Sequence, residues 1–176
     1  MKWSDVEKLL EHNRLEYKSS RVENSSEYYR KQGFLHSKEN HAFKMITISN
    51  PDHDKNIELI FDSDEDNPNF YDLDFGGYCY ELFDCNEDDI ANQLIKEIKD
   101  IISGNVYIIY ARNAKSGEWF FDGCFFDSPD EDENTMDEFQ NLIARIRSPK
   151  SWLRKIIKRI DQYEIFNWNS YECVIK

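Results

Sequence analysis

Closely spaced carboxylates are the residues of this sequence with the clearest potential for chemistry. The stretch DSDEDNPN places Asp62, Asp64 and Asp66 at alternate positions, as at the start of a calcium-binding loop. The twelve-residue EF-hand pattern also needs Gly at its sixth position and Glu at its twelfth. This chain has Asn67 and Leu73 at those positions. The pattern therefore favours a solvated acidic loop, and we predict no metal and no other cofactor.

Further carboxylates occur in the stretches that follow this loop. Asp72 and Asp74 alternate with apolar residues in FYDLDF, so a β-strand would place both carboxylates on one face. Such a face is either simply solvated or a docking surface for a cationic protein. We predict that the three loop residues and these two bind the partner. The same prediction includes Asp84, Glu87, Asp88, Asp122, Asp130 and Asp132.

Asp122 differs from the others because it interrupts the aromatic run WFFDGCFF beside Gly123. Two readings are open. A β-bulge at Gly123 would turn the carboxylate outward, or a buried carboxylate would meet a basic group. The sequence favours the bulge.

A cysteine-dependent hydrolase is the alternative chemistry, because it needs a nucleophilic thiol and a histidine base. Cys85 stands at a predicted helix start, yet the acidic residues around it would raise its pKa. Cys79 and Cys124 lie in aromatic runs, where a buried cysteine behaves as a small apolar residue. The sequence has four histidines, all within its first third: His12, His36, His41 and His53.

The charge of the chain restricts its partners. The formal net charge is −13, and residues 52–100 carry 16 acidic and 3 basic side chains. Such a field repels nucleic acid and anionic membranes and attracts a basic protein. No apolar run approaches the roughly 20 residues of a membrane helix. The N-terminus lacks the apolar core of a signal peptide and the four cysteines form no CxxC pair, so we predict a cytoplasmic protein with reduced thiols.

The elements predicted from periodicity belong to an α+β fold. We expect one domain over residues 1–176, with about six to eight mostly antiparallel strands and helices packed on one face. Residues 106–126 predict a central β-hairpin, with a turn between its two apolar runs. Apolar stripes at helical spacing predict helices that end near Gly104, near Ser148 and near Ile160.

In its general character the chain resembles the small acidic immunity proteins of bacterial toxin–immunity systems. The stretches that carry the resemblance are YDLDF, DCNEDDI and DSPDEDE, together with the size, acidity and aromatic content of the whole chain. The resemblance implies a cytoplasmic α+β domain that binds and blocks a toxin domain, often a basic nuclease. We therefore predict a non-enzymatic protein that neutralises a basic partner, with a DNA-mimic inhibitor as a further alternative to the hydrolase. The oligomeric state is left open.

Overall fold

The computed structural model describes residues 1–31, 40–80, 87–113, 115–116, 119–129, 134–148 and 162–175. The chain divides into two compact units, Met1–Lys99 and Asp100–Lys176, where chain length alone predicts one domain. The described residues contain four helices and nine strands, and the strands form two antiparallel sheets, which confirms the α+β class. None of the helices described has the length and apolar character needed to cross a bilayer.

The first unit is a five-stranded antiparallel sheet with helices. Its strands lie side by side in the same order as they follow one another in the sequence. In chain order its elements are α1 (Trp3–His12), β1 (Lys18–Val22), α2 (Ser25–Lys31), β2 (Phe43–Ile48), β3 (Ile57–Phe61), β4 (Phe70–Phe75), β5 (Tyr78–Tyr80) and α3 (Glu87–Ile102), which continues past Lys99.

Helices contact both faces of this sheet. On one face the ring of Trp3 in α1 lies 4.6 Å from that of Phe61 in β3. On the other face the ring of Tyr28 in α2 lies 5.3 Å from that of Phe43 in β2. Side chains alternate between the faces along a strand, so Glu58 shares the α2 face, whereas Phe61 shares the α1 face. The face under α2 is the one that carries acidic side chains.

The second unit is a four-stranded antiparallel sheet with one described helix on it. Its elements are β6 (Val106–Arg112), β7 (Trp119–Phe126), α4 (Met136–Arg147), β8 (Gln162–Asn167) and β9 (Ser170–Ile175), and the strand order is β7-β6-β8-β9. The buried stripe of α4 packs on alternate residues of β6 and β8 to form a core of Ile109, Ala111, Phe139, Ile143, Ile146, Tyr163 and Ile165. The predicted helix that ends near Ile160 lies outside the described residues.

The hairpin predicted over residues 106–126 is confirmed, but only one of its strands is central. β6 lies between β7 and β8, whereas β7 forms an edge of the sheet. The bulge expected at Gly123 is also absent, because Ile109 pairs regularly with Gly123 and Tyr110 with Asp122. The register shifts instead between Ala111 and Arg112.

Gly104 ends α3 in a conformation that only glycine adopts easily. Its φ is +80°, and a Cβ atom there would lie 2.3 Å from Nδ2 of Asn169. The carbonyl oxygen of Gly104 accepts a hydrogen bond of 3.0 Å from Nδ2 of Asn167. The end of the helix is thereby joined to the turn between β8 and β9.

Replacing Gly104 with Ala is expected to destabilise the protein by about 1–3 kcal/mol, since the change adds left-handed backbone strain and a steric clash. The free energy of unfolding, measured in urea, checks this. Adding Asn169→Ala to the variant removes the clash but leaves the strain, so it is expected to restore part of the loss. Equal stabilities for wild type and the Gly104→Ala variant would contradict this account.

Candidate functional site

The acidic loop, residues 62–69, is braced by polar contacts at both ends. The backbone N–H and Nδ2 of Asn69 donate to the two carboxylate oxygens of Asp62, at 3.0 and 2.9 Å. The hydrogen bond from the Asn69 side chain is the main reason that the pKa of Asp62 is lowered. Further along, the backbone N–H of Ser4 donates to Oδ1 of Asn67 at 3.0 Å. The loop is thus held in one conformation although it is exposed.

Two basic side chains hold the middle of the acidic loop. A guanidinium nitrogen of Arg21 on β1 lies 2.5 Å from a carboxylate oxygen of Asp64. The Nζ of Lys44 on β2 donates to the carbonyl oxygen of Asp66 at 3.1 Å. The side chains of Glu65 and Asp66 are exposed, so the loop presents negative charge to solvent on a fixed backbone.

Tyr71 stands next to this loop and is exposed because of a β-bulge. Ile60 pairs with Asp72 and Phe61 pairs with Phe70, so Tyr71 is an extra residue between two paired ones. A bulged residue of this kind redirects its side chain, and Tyr71 is 69% exposed. The sequence predicted that Tyr71 is one of the apolar residues that alternate with Asp72 and Asp74 along a strand. It did not predict the bulge.

The prediction that Asp72 and Asp74 share a strand face holds, but the two differ in burial. Asp72 is half-buried, whereas Asp74 is only 2% exposed. Asp74 accepts a 2.6 Å hydrogen bond from the backbone N–H of Gly77. The Sγ of Cys79 lies 3.6 Å from its other oxygen. Asp74 is therefore part of the interior in this structure and does not belong to an exposed face.

Asp74 lies in a row of polar residues that crosses three strands. Glu58 on β3 pairs with Asp74, and Asp74 pairs with Cys79 on β5. From α2 the hydroxyl of Tyr28 donates a hydrogen bond to Glu58. We call Glu58, Asp74 and Cys79 the polar row; Asp74 is buried, and the other two are half-buried. Two carboxylates directly opposite each other in an antiparallel pair repel when both are ionised, so this arrangement favours keeping a proton on the pair.

Burial raises the pKa values of this region. The pKa of Asp74 is raised to about 7, mainly by desolvation and also by the nearby Glu58, while the hydrogen bond from Gly77 opposes the increase. Desolvation also raises the pKa of Glu58, of the Cys79 thiol, and of Tyr29 to about 12. Cys79 is thus a protonated thiol next to acidic groups, the opposite of an activated nucleophile.

The other predicted carboxylates are placed as follows. Asp122 is half-buried on β7, and desolvation raises its pKa. Asp84, Asp130 and Asp132 lie outside the described residues. Glu87 and Asp88 begin α3, but their side chains are also outside the described part. Among the predicted carboxylates whose side chains the structure describes, those of the acidic loop and β4 are neighbours within the first unit, and Asp122 belongs to the second unit.

An ion pair in the second unit was not predicted. The Nε of Arg112 on β6 lies 3.4 Å from Oε1 of Glu164 on β8, and both side chains are largely buried. The Arg112 guanidinium also stacks 5.0 Å from the ring centre of Tyr110. Because Tyr110 pairs with both Asp122 and Glu164, these charged groups share one face. The Arg112–Glu164 pair can be recognised only once the structure shows that β6 and β8 are neighbours in the sheet.

The cysteines and histidines considered for thiol chemistry lie in different local environments. Cys85 and His36 lie outside the described residues, and Cys124 is half-buried in β7. His41 lies 3.4 Å from the hydroxyl oxygen of Ser25 through Nδ1. His53 accepts a hydrogen bond of 3.2 Å from the backbone N–H of Lys55. These contacts give the two histidines local structural roles in the loops that contain them.

Within the described ranges, no three His, Cys, Asp or Glu side chains are grouped closely enough to hold a metal ion. No family model matches the chain, and the searches of curated proteins and of solved structures likewise found no match.

Proposed function

We propose that this protein is a non-enzymatic binding protein that neutralises a basic protein partner, as immunity proteins neutralise bacterial toxin domains. The observation that carries the proposal is the exposed Tyr71 next to the braced acidic loop. An exposed aromatic side chain can serve as a binding anchor, and carboxylates beside it provide charge complementary to a cationic surface.

The charges and the aromatic side chain contribute to different steps of binding. Carboxylates at exposed positions such as Glu65 and Asp66 would steer a basic partner and raise the association rate. Tyr71 would then be buried against the partner and slow dissociation, because tyrosine offers large contact area with few rotatable bonds. Asp72, the next residue in the chain, is half-buried and would contribute charge at the rim of the contact.

Rigidity of the acidic loop supports the same function. A loop already held by Asn69, Arg21 and Lys44 loses little conformational entropy when a partner binds. The reduced thiols of Cys79, Cys124 and Cys173 agree with a cytoplasmic location, where a protein that protects its own cell from a toxin would act.

Affinity capture from the native host is expected to recover a basic protein, and its binding is expected to weaken as salt is raised. Charge reversal by Asp66→Lys should lower the association rate and flatten the salt dependence. The matched control is Glu16→Lys, which makes the same change of net charge at an exposed position in the loop between α1 and β1. Capture of no protein, or salt-insensitive binding, would falsify the proposal.

A further inference from the structure

β1 lies at one edge of the first sheet and buries none of its side chains. Four of its five side chains are exposed, and the fifth, Val22, is half-buried. The strand is held to the sheet by its backbone ladder with β2, which pairs Lys18 with Thr47 at one end and Val22 with Phe43 at the other. Segments with few buried apolar contacts open at a low free energy. β1 is therefore suited to open locally while the rest of the sheet stays folded.

Arg21 ties this strand to the acidic loop. One guanidinium nitrogen of Arg21 lies 2.5 Å from a carboxylate oxygen of Asp64 and 3.4 Å from a carboxylate oxygen of Glu23. All three side chains are partly exposed, so solvent screens the contacts and each of them is weak. An Arg21 side chain that leaves Asp64 keeps Glu23 as a partner. Moving away from the loop therefore costs little.

The acidic loop has supports besides Arg21. The Nζ of Lys44 donates to the carbonyl oxygen of Asp66 at 3.1 Å, and the backbone N–H of Lys44 donates to the carbonyl oxygen of Ser63 at 3.0 Å. The Lys44 ammonium also lies 5.2 Å from the centre of the Trp3 ring. Lys44 thus braces the loop through carbonyl groups, whereas Arg21 neutralises the charge of a carboxylate.

We propose that Arg21 is an internal competitor of the basic partner, and that β1 is released from the acidic loop when the partner binds. This inference rests on the proposed function, because it concerns the regulation of the same surface. A cationic side chain of the partner takes the place of Arg21 at Asp64, and Arg21 stays with Glu23. The loss of this tie raises the open population of β1. Partners that offer no cation able to displace a guanidinium are disfavoured.

Binding of a hexaarginine peptide to the full chain, followed by backbone-amide NMR, tests the inference. We expect the peptide to shift the amide signals of residues 62–66 and to speed hydrogen exchange in β1. Arg21→Gln removes the competitor and should lower the peptide Kd by about threefold more than the control does, as expected for an exposed ion pair. The control Lys18→Gln removes a positive charge from an exposed position at the other end of the same strand.

A double-mutant cycle with Asp64→Asn separates competition from a general effect of charge. In the wild type Arg21 already engages Asp64, so Asp64→Asn should weaken peptide binding only slightly. In the Arg21→Gln background the carboxylate is available to the peptide, and the same change should raise the Kd by about threefold. Without peptide, each single variant should speed amide exchange in β1 by about threefold. Circular dichroism checks that the variants keep the fold.

Failure of the recognition surface and failure of the competition give different results. A peptide that shifts no signal of the acidic loop, in the wild type or in Arg21→Gln, would overturn this inference together with the surface. If the peptide binds the loop, either equal Kd values for Arg21→Gln and Lys18→Gln or unchanged exchange in β1 would overturn the inference alone.

Discussion

Replacing Asp74 with Asn is expected to remove a pH dependence of stability between about pH 4 and pH 7. The pKa of Asp74 is raised from 3.8 to about 7 in the folded protein, mainly by desolvation. In this range the folded chain keeps a proton that the unfolded chain releases. Stability should therefore be highest at acid pH and fall as pH rises, by up to about 1.4 kcal/mol per pH unit. Above the folded pKa the loss is complete.

The difference in free energy of unfolding between wild type and Asp74→Asn isolates this term from other titrations. We expect the variant to be more stable than wild type at pH 8, because an amide has no buried charge, and to lose this advantage at pH 5. Carbon-13 titration of the Asp74 carboxyl measures the pKa directly. Asp66→Asn, at an exposed loop position, is the control. A constant difference between pH 5 and pH 8 would refute the assignment.

The same titration has a local consequence in the polar row. Glu58, Asp72 and Cys79 are the acidic groups around Asp74, and Tyr28 of α2 bonds Glu58. Ionisation of Asp74 adds negative charge to this face of the sheet. Amide hydrogen exchange in β3, β4 and β5 should therefore be faster at pH 8 than expected from pH alone, and Asp74→Asn should suppress that increase.

Truncating Tyr71 to Ala is expected to weaken binding of the captured basic partner by about 2 kcal/mol, or roughly 30-fold in Kd. Most of the effect should be a faster dissociation rate, since an aromatic anchor is buried only after the encounter. Because Tyr71 is 69% exposed in the free protein, its removal should cost little stability. Surface plasmon resonance, with the protein immobilised at low density, measures both rates.

Tyr171→Ala provides the matched control, because it removes another exposed tyrosine from a different sheet. Comparison with Asp66→Lys separates the two proposed contributions, since the charge reversal should act on the association rate. If Tyr71→Ala and Tyr171→Ala bind the partner with the same Kd, the anchor role of Tyr71 is wrong, although a purely electrostatic contact elsewhere would survive.

Periodicity in the sequence was sufficient to predict elements whose structure depends on residues close together in the chain. The helices α3 and α4 and the hairpin β6–β7 were predicted, because the spacing of apolar residues and the turn residues is set over a few positions. β1 was not predicted. Its sequence KSSRV is polar, and it is a strand because it pairs with β2. Pairing with a segment that is distant in the chain does not produce a periodic pattern of apolar residues in an edge strand.

For the candidate site, the acidity and the alternation of Asp72 with Asp74 could be predicted from the sequence, since both follow from composition and the two-residue period of a strand. Which carboxylates reach solvent depends on how the strands and helices pack. Asp74 is buried between its neighbours on β3 and β5, and Tyr71 is exposed at the bulge opposite Ile60. Burial and register depend on neighbours that are remote in the chain, so residue type and spacing do not specify them.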